Sequence, residues 1–153
     1  MDPVVRRATL NDTTDLARLQ HLARQGIEDV RGGALRLAEC PVVTDWNTLI
    51  NDPHTVVVVG TLDESVMRYA VMQLSAEKNR GLITHAYVEA EARELGLGDT
   101  MVEHFIAAVR TAGLDGIEAV ALPGDRETKN MFERAGLTAR KLTVYKALQS
   151  NAD

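Results

Sequence analysis

The sequence predicts a mixed α/β (α+β) fold, one sheet of about six strands with helices on both faces. Three observations predict it. The chain has 153 residues, 45% hydrophobic and 25% charged, enough for one core and too few for a second of similar size. Three β-rich runs follow one another between His54 and Ala90 with no helix among them, which a repeated βαβ array does not contain. Helical periodicity brackets those runs on both sides.

Taken in order, "VVRRAT" (Val4 to Thr9) reads as a short strand. "NDTTDLARLQHLARQGI" reads as a helix, with Asp12 as N-cap, Asp15 near the first turn and leucines at helical spacing. "RGGALRLAECPVV" (Arg31 to Val43) carries glycine and proline punctuation and is expected to be a loop, followed by a short helix around "TDWNTLIND". "HTVVVVGTLDESVMRYAVMQLS" gives two strands joined through Asp63, Glu64 and Ser65 as an antiparallel hairpin, and "GLITHAYVEA" gives a third. In "GDTMVEHFIAAVRTAG", Met101, Val102, Phe105, Ala108 and Val109 form one apolar stripe and Gly113 is the expected stop. "GIEAVAL" is a strand, "DRETKNMFERAG" a short helix capped by Asp125, and "LTARKLTVYKAL" a closing strand. There are no repeats, so residues 1–148 are expected to form a single domain and 149–153 a frayed tail.

Composition narrows the function classes. A net charge of −5 gives no electrostatic footprint for nucleic acid or an acidic membrane. Cys40 is the one cysteine, which excludes an internal disulfide framework, and His21, His54, His85 and His104 lack the spacing of a zinc site. Neither a signal-peptide core nor a run near the ~18 apolar residues of a membrane span is present. A soluble, cytoplasmic, metal-free protein is the expectation.

Chemistry concentrates in "ARELGLGDTMVEHF", where Arg93 precedes Gly96 and Gly98 at the start of a helix. A helix N-terminus carries unpaired N–H groups and partial positive charge, and glycine removes the Cβ atoms that would keep a phosphate away. A Walker A loop needs Gly-Lys-Ser/Thr where this chain has Gly98-Asp99-Thr100, and a dinucleotide fingerprint needs a third glycine where Met101 stands. Spacing alone leaves two readings open, a pyrophosphate cradle and a plain tight turn.

"YVEAEARELGLGDTMVEHF" resembles the signature of the GNAT superfamily of acyl-CoA-dependent N-acetyltransferases, with Arg93, Gly96 and Gly98 in the Arg/Gln-x-x-Gly-x-Gly/Ala places. "DRETKNMFERAGL" resembles that family's second segment through Phe132, Glu133, Arg134, Gly136 and Leu137, and the resemblance spans nearly the whole chain. It implies a mostly antiparallel sheet splayed between its fourth and fifth strands, with the pantetheine arm of acetyl-CoA in the gap. The pyrophosphate would rest on the backbone donors of Leu95, Gly96, Leu97 and Gly98, with Arg93 adding charge and Asp99 bordering the turn. Asp125 stands where many relatives have asparagine; it too belongs to the implied cofactor site, and a helix N-cap is its simpler role. The backbone N–H of Val88 would polarise the thioester carbonyl. Homodimerisation is common among such proteins, and nothing in this sequence assigns an oligomeric state.

The implied reaction is attack of a neutral amine on a thioester, and a free alkyl amine titrates at about 10.4, so a proton must leave. His85 is the imidazole of the fourth strand, although period 2 puts it with Tyr87 and opposite Thr84 and Ala86, and the family's bases on this strand match Leu82 and Thr84 better. Phe132 stands where the family often has a tyrosine acting as general acid on the thiolate; Tyr145 and Tyr87 are candidate substitutes. The acceptor, an amine of a small molecule or peptide, would meet Arg31 to Val43 and Met67 to Gln73, where Arg31 and Arg36 offer positive charge. Cys40 and Trp46 read more simply as packing. The alternative function is an acyl-CoA-binding sensor or structural module with little turnover, motivated by Phe132 and the lack of an evident base.

Overall fold

The computed structural model describes residues 3–89, 92–93 and 97–148, with the backbone alone at 97 and 98. The elements run β1 (Val4–Arg7), a 3-10 turn (Leu10–Asp12), α1 (Thr13–Ile27), α2 (Gly33–Glu39), α3 (Trp46–Asn51), β2 (Thr55–Leu62), β3 (Ser65–Ser75), β4 (Arg80–Val88), α4 (Leu97–Thr111), β5 (Gly116–Ala119) and α5 (Arg126–Arg134). Strand order in the sheet follows chain order, β1-β2-β3-β4-β5. Every pairing is antiparallel except that of β4 with β5, which is parallel and reached through the crossover helix α4.

The four valines of β2 explain why the sheet sits in the middle. Val56 and Val58 join Ala70 and Met72 of β3 in a core under α4 and α5, while Val57 and Val59 join Tyr69 and Val71 in a second core under α1 and α3. Period-2 alternation feeds both layers from one run, so the run reads as continuously apolar. The expected stripe of α4 faces the first layer, with Met101, Val102, Phe105 and Val109 all buried. Gly81 lets α4 approach: a Cβ there would stand 2.5 Å from Met72 Sδ and 2.7 Å from Val109 Cγ2. Asp63 and Glu64 have φ of 49° and 68° and link Leu62 to Ser65, the doubly left-handed pair of a two-residue hairpin.

Three expectations are corrected. Asp12 does not cap α1 with its side chain, because a 3-10 turn precedes the helix and Asp12 ends it. Its carboxylate accepts from the Thr9 N–H at 2.8 Å and from the Arg6 guanidinium at 2.7 and 2.9 Å, and that guanidinium first of all holds its pKa below the usual carboxylate value. The stretch Arg31 to Val43 is not all loop. Between its glycines and its proline, "GALRLAE" is rich in good helix formers and folds as α2, with Gly32 at φ 83° turning the chain back onto α1.

The closing strand over residues 137–148 is the third correction, and among the described residues the sheet has five strands instead of six. Leu137 is anchored by its N–H on the Phe132 carbonyl. Beyond it the chain has no regular secondary structure, and Leu142, Val144 and Leu148 are 87%, 92% and 90% exposed. An alternating pattern becomes a strand only against a ladder, and among the described residues no main-chain group of 138–148 pairs with β5.

Candidate functional site

The parallel ladder of β4 and β5 is short. It runs from Arg80 opposite Gly116 to Ile83 opposite Ala119 and stops there. The cause lies on the other side of β4. Val71 of β3 faces His85 and Met72 faces Ile83, so Thr84 is an extra residue, a β-bulge that bends β4 away from β5. From Thr84 to Val88 the strand borders a gap, and the gap opens into a cavity of 1070 Å³. Its walls belong to both faces of the sheet: α1 and α2 with Tyr69, His85 and Tyr87 on one, and Ala70, Met101, Phe105 and α5 on the other. The size suits a substantial organic ligand.

Val88 ends β4 at the lip of this gap, opposite Arg68 of β3. The next residue, Glu89, donates its N–H back to the Met67 carbonyl at 2.9 Å. Successive N–H groups of a strand point to opposite edges, so the Val88 N–H points away from β3 and into the gap.

Of the glycine turn, Leu95 and Gly96 lie outside the described residues, while Leu97 and Gly98 form the first turn of α4. Around that turn stand Arg93, paired with Glu127 at 3.1 Å, and Asp99, paired with Arg134 at 3.3 Å; all four line the cavity. Asp125 lines it too and caps α5 as the sequence leads one to expect, its carboxylate accepting from the Thr128 N–H at 3.2 Å and hydroxyl at 2.7 Å. Phe132 is buried on the same wall. The cavity thus brings together Val88, Arg93, Asp99, Asp125, Phe132 and His85, six of the expected site residues.

His85 faces the α1 side, as its partnership with Tyr87 and Val71 requires. Its Nδ1 lies 2.8 Å from the Thr84 hydroxyl, and its buried Nε2 has no partner. Burial, and then the positive charges of Arg36 and Arg24, push its pKa down to about 4. It is therefore neutral at pH 7 and a weak base.

Tyr145 is 57% exposed on the unpaired C-terminal segment and does not line the cavity, whereas Tyr87 does. Trp46 stacks edge-on against Tyr69 at 5.8 Å and anchors α3, and Cys40 has its Sγ 4.0 Å from the Thr84 carbonyl; both act as packing. Arg36, from α2, donates to the same carbonyl at 2.8 Å.

Sequence reasoning overlooked Arg68. It is 3% exposed, lines the cavity, and its Nε and one terminal nitrogen have no hydrogen-bond partner. Desolvation chiefly pushes its pKa down to about 10, with Asp99 opposing and Arg134 adding to the shift. A signal existed: Arg68 falls between Val66 and Ala70 in a strand whose alternate positions are otherwise apolar. A buried guanidinium with free donors in a cavity wall suits an anionic ligand. Among the described residues no cluster of three His, Cys, Asp or Glu suits a metal ion, and no helix is long and apolar enough to cross a membrane.

The sequence profile of the acetyltransferase (GNAT) family matches residues 18–137. A sequence search of curated proteins finds no match. Among solved structures, a Bacillus halodurans protein studied as a tetramutant superposes with a TM-score of 0.73 at 19% identity, covering 95% of this chain and 99% of that one. An aminoglycoside antibiotic 6'-N-acetyltransferase from Acinetobacter baumannii superposes with a TM-score of 0.69 at 13% identity, covering 97% and 99%. A predicted acetyltransferase from Clostridium acetobutylicum, in a structure with acetyl-CoA, gives 0.65 at 16% identity over 95% and 96%. At these identities the likeness is one of fold.

Proposed function

The chain belongs to the acetyltransferase (GNAT) family, and on that premise we propose that it transfers an acetyl group from acetyl-CoA to the amine of a small molecule or peptide. The observation that carries this reading is the cavity entered where the bulge at Thr84 parts β4 from β5, with the Val88 N–H aimed into it. Acetyl-CoA would supply a thioester, an acyl carbon already activated toward an amine.

The residues present suit such a donor. Leu97 and Gly98, at the start of α4, offer the unpaired N–H groups of a helix N-terminus to the pyrophosphate. Arg68 and Arg93 add positive charge beside them, with Asp99 holding Arg134 at the border. Asp125 and Phe132 wall the arm of the donor on the α5 side. The Val88 N–H meets the carbonyl oxygen as it gains charge, a position where one donor is typically worth ~3–4 kcal/mol.

In the transfer itself the amine nitrogen forms a bond to the acyl carbon, the C–S bond breaks, and the amine proton leaves for solvent. His85 accepts a hydrogen bond more readily than a proton, given its depressed pKa. Phe132 has no proton for the departing thiolate, but a thiol of pKa about 8.5 leaves unaided at a rate lower by the ~10²–10⁴-fold that a general acid supplies. Tyr87, which lines the cavity together with Tyr69, is the candidate substitute in that role. The single cysteine fits a reducing cytoplasm.

Thiol release from acetyl-CoA across a panel of amines, amino acids and peptides tests the proposal, beside Gly96→Glu, which crowds the pyrophosphate turn. Acceptor-dependent release that is lost in the variant is the expected result. The second reading, an acyl-CoA-binding module with little turnover, draws on Phe132 and the weak basicity of His85. It predicts stabilisation of the protein by acetyl-CoA with no release from any acceptor.

A further inference from the structure

The charged residues of the cavity are not evenly distributed. Its carboxylates are Asp99, Asp125 and Glu127, all on the α4/α5 side and all engaged, with Arg134, Thr128 and Arg93 respectively. On the α1/α2 side, where the acceptor would approach, the charged lining residues are Arg24 and Arg36, and among the described residues no carboxylate lines that wall.

Both guanidinium groups are hydrogen-bonded, but to neutral partners. Arg24 donates to the carbonyls of Cys40 at 2.6 Å and Leu37 at 3.4 Å, and Arg36 donates to Thr84 at 2.8 Å. Carbonyls satisfy donors without cancelling charge. Among the described residues the one carboxylate paired with either group is Glu39, 3.9 Å from Arg36, with its side chain 64% exposed against 17% for Arg36. A pair that long and that wet is worth little. Two positive charges therefore bear on the gap, and after burial both act to lower the pKa of His85 beside them.

We propose that the acceptor is an amine carrying a carboxylate, held by Arg24 and Arg36 on the α1/α2 side of the cavity, and that polycationic amines are excluded from it. The proposal rests on the acetyl-transfer reading and deepens it. An arginine fork matches a carboxylate with two parallel N–H···O bonds, and each of these guanidinium groups has donors beyond those it spends on the backbone. The same charges favour the neutral form of the attacking nitrogen, because an ammonium beside them is repelled. The site thereby obtains a deprotonated amine without a strong base, and the carboxylate of the acceptor offsets the charge that achieves it.

The test compares L-amino acids, their carboxamides and a polycationic aminoglycoside as acceptors for thiol release from acetyl-CoA. The same compounds are titrated calorimetrically onto the protein with CoA present. The expected kcat/KM for a carboxylate exceeds that for its carboxamide by at least tenfold, and the aminoglycoside is inert. Arg36→Gln should erase the ratio by raising KM for the carboxylate far more than for the carboxamide, and Arg36→Lys should restore part of it. Equal use of carboxylate and carboxamide, or preference for the aminoglycoside, overturns the proposal, as does a ratio untouched by Arg24→Gln and Arg36→Gln alike. Calorimetric preference for the carboxylate without thiol release would sink acetyl transfer and leave the anion site standing.

Discussion

Replacing Arg68 by methionine should make the protein more stable and worse at holding acetyl-CoA. The Arg68 stem lies along Gly60, whose absent side chain leaves it room, and a Cβ there would stand 3.3 Å from the Arg68 Cδ. Methionine keeps most of that stem and gives up the buried charge. Folding lowers the Arg68 pKa from the ordinary guanidinium range to about 10. At ~1.4 kcal/mol per unit this corresponds to roughly 3 kcal/mol of disfavoured charge at neutral pH. The sign follows from linkage. A base whose folded pKa is depressed costs stability wherever it is charged, and the cost is relieved only as pH rises from about 10 toward the ordinary guanidinium value. Some of the gain is lost to imperfect packing of the shorter side chain, so ~1–3 kcal/mol is expected to remain, within the range seen when buried charges give way to apolar groups. In a chain of this size that is a rise in melting temperature of roughly 3–10 °C. The assay is a pair of thermal melts with and without saturating acetyl-CoA. In the variant the free protein should melt higher and the shift given by acetyl-CoA should shrink. A variant that melts lower, or that keeps the full ligand-induced shift, would refute the reasoning.

Other perturbations address the remaining features. His85 titrates at about 4 in the fold and near 6.5 unfolded, so its neutral burial contributes stability above pH 6.5 that is lost as pH falls toward 4. Denaturant titrations at pH 7 and pH 4.5 should show that loss, and His85→Gln should flatten it; an unchanged slope would mean the imidazole is not buried uncharged. Asp125→Ala removes two hydrogen bonds to Thr128 and should cost ~0.5–2 kcal/mol by chemical denaturation. Tyr145→Phe should leave kcat within twofold of the parent, and a tenfold drop would restore that hydroxyl to the reaction. A chain ending at Leu137 loses three large side chains at least 87% exposed, Leu142, Val144 and Leu148. Sedimentation should find it less prone to concentration-dependent self-association than the full chain, and equal behaviour would show that this apolar segment is tolerated in water.

Features governed by neighbours in the sequence were legible there. The hairpin at Asp63 and Glu64, the buried stripe of α4, the stop at Gly113 and the cap by Asp125 all follow from residues within a few positions of one another. What escaped depends on distant partners. Asp12 reads as a helix cap until Arg6 of β1 is seen to claim its carboxylate. Residues 138–148 have the alternation of a strand, but pairing is a property of two edges and only one is written in the segment itself. Glycine and proline around α2 announce turns and conceal the seven residues between that prefer to be helical. At the candidate site the cradle for a phosphate showed in the spacing of Gly96 and Gly98. Of the charges that shape its other rooms only Arg36 showed, because Arg24 and Arg68 come from α1 and β3 and meet it only once the sheet is assembled.

The surplus residue at Thr84 changes the parity of β4. Up to Ile83 the odd-numbered positions look toward α4; from His85 onward they look toward α1. Counting by twos from the start of the strand would therefore assign every later side chain to the wrong side of the sheet. Deleting Thr84 would swap His85 and Tyr87 with Ala86 and replace an aromatic, polar wall by a methyl group. Any residue-by-residue comparison with a distant homologue must first establish whether that homologue carries the same slip, since two chains out of step by one position can share a fold and present opposite faces to the same ligand.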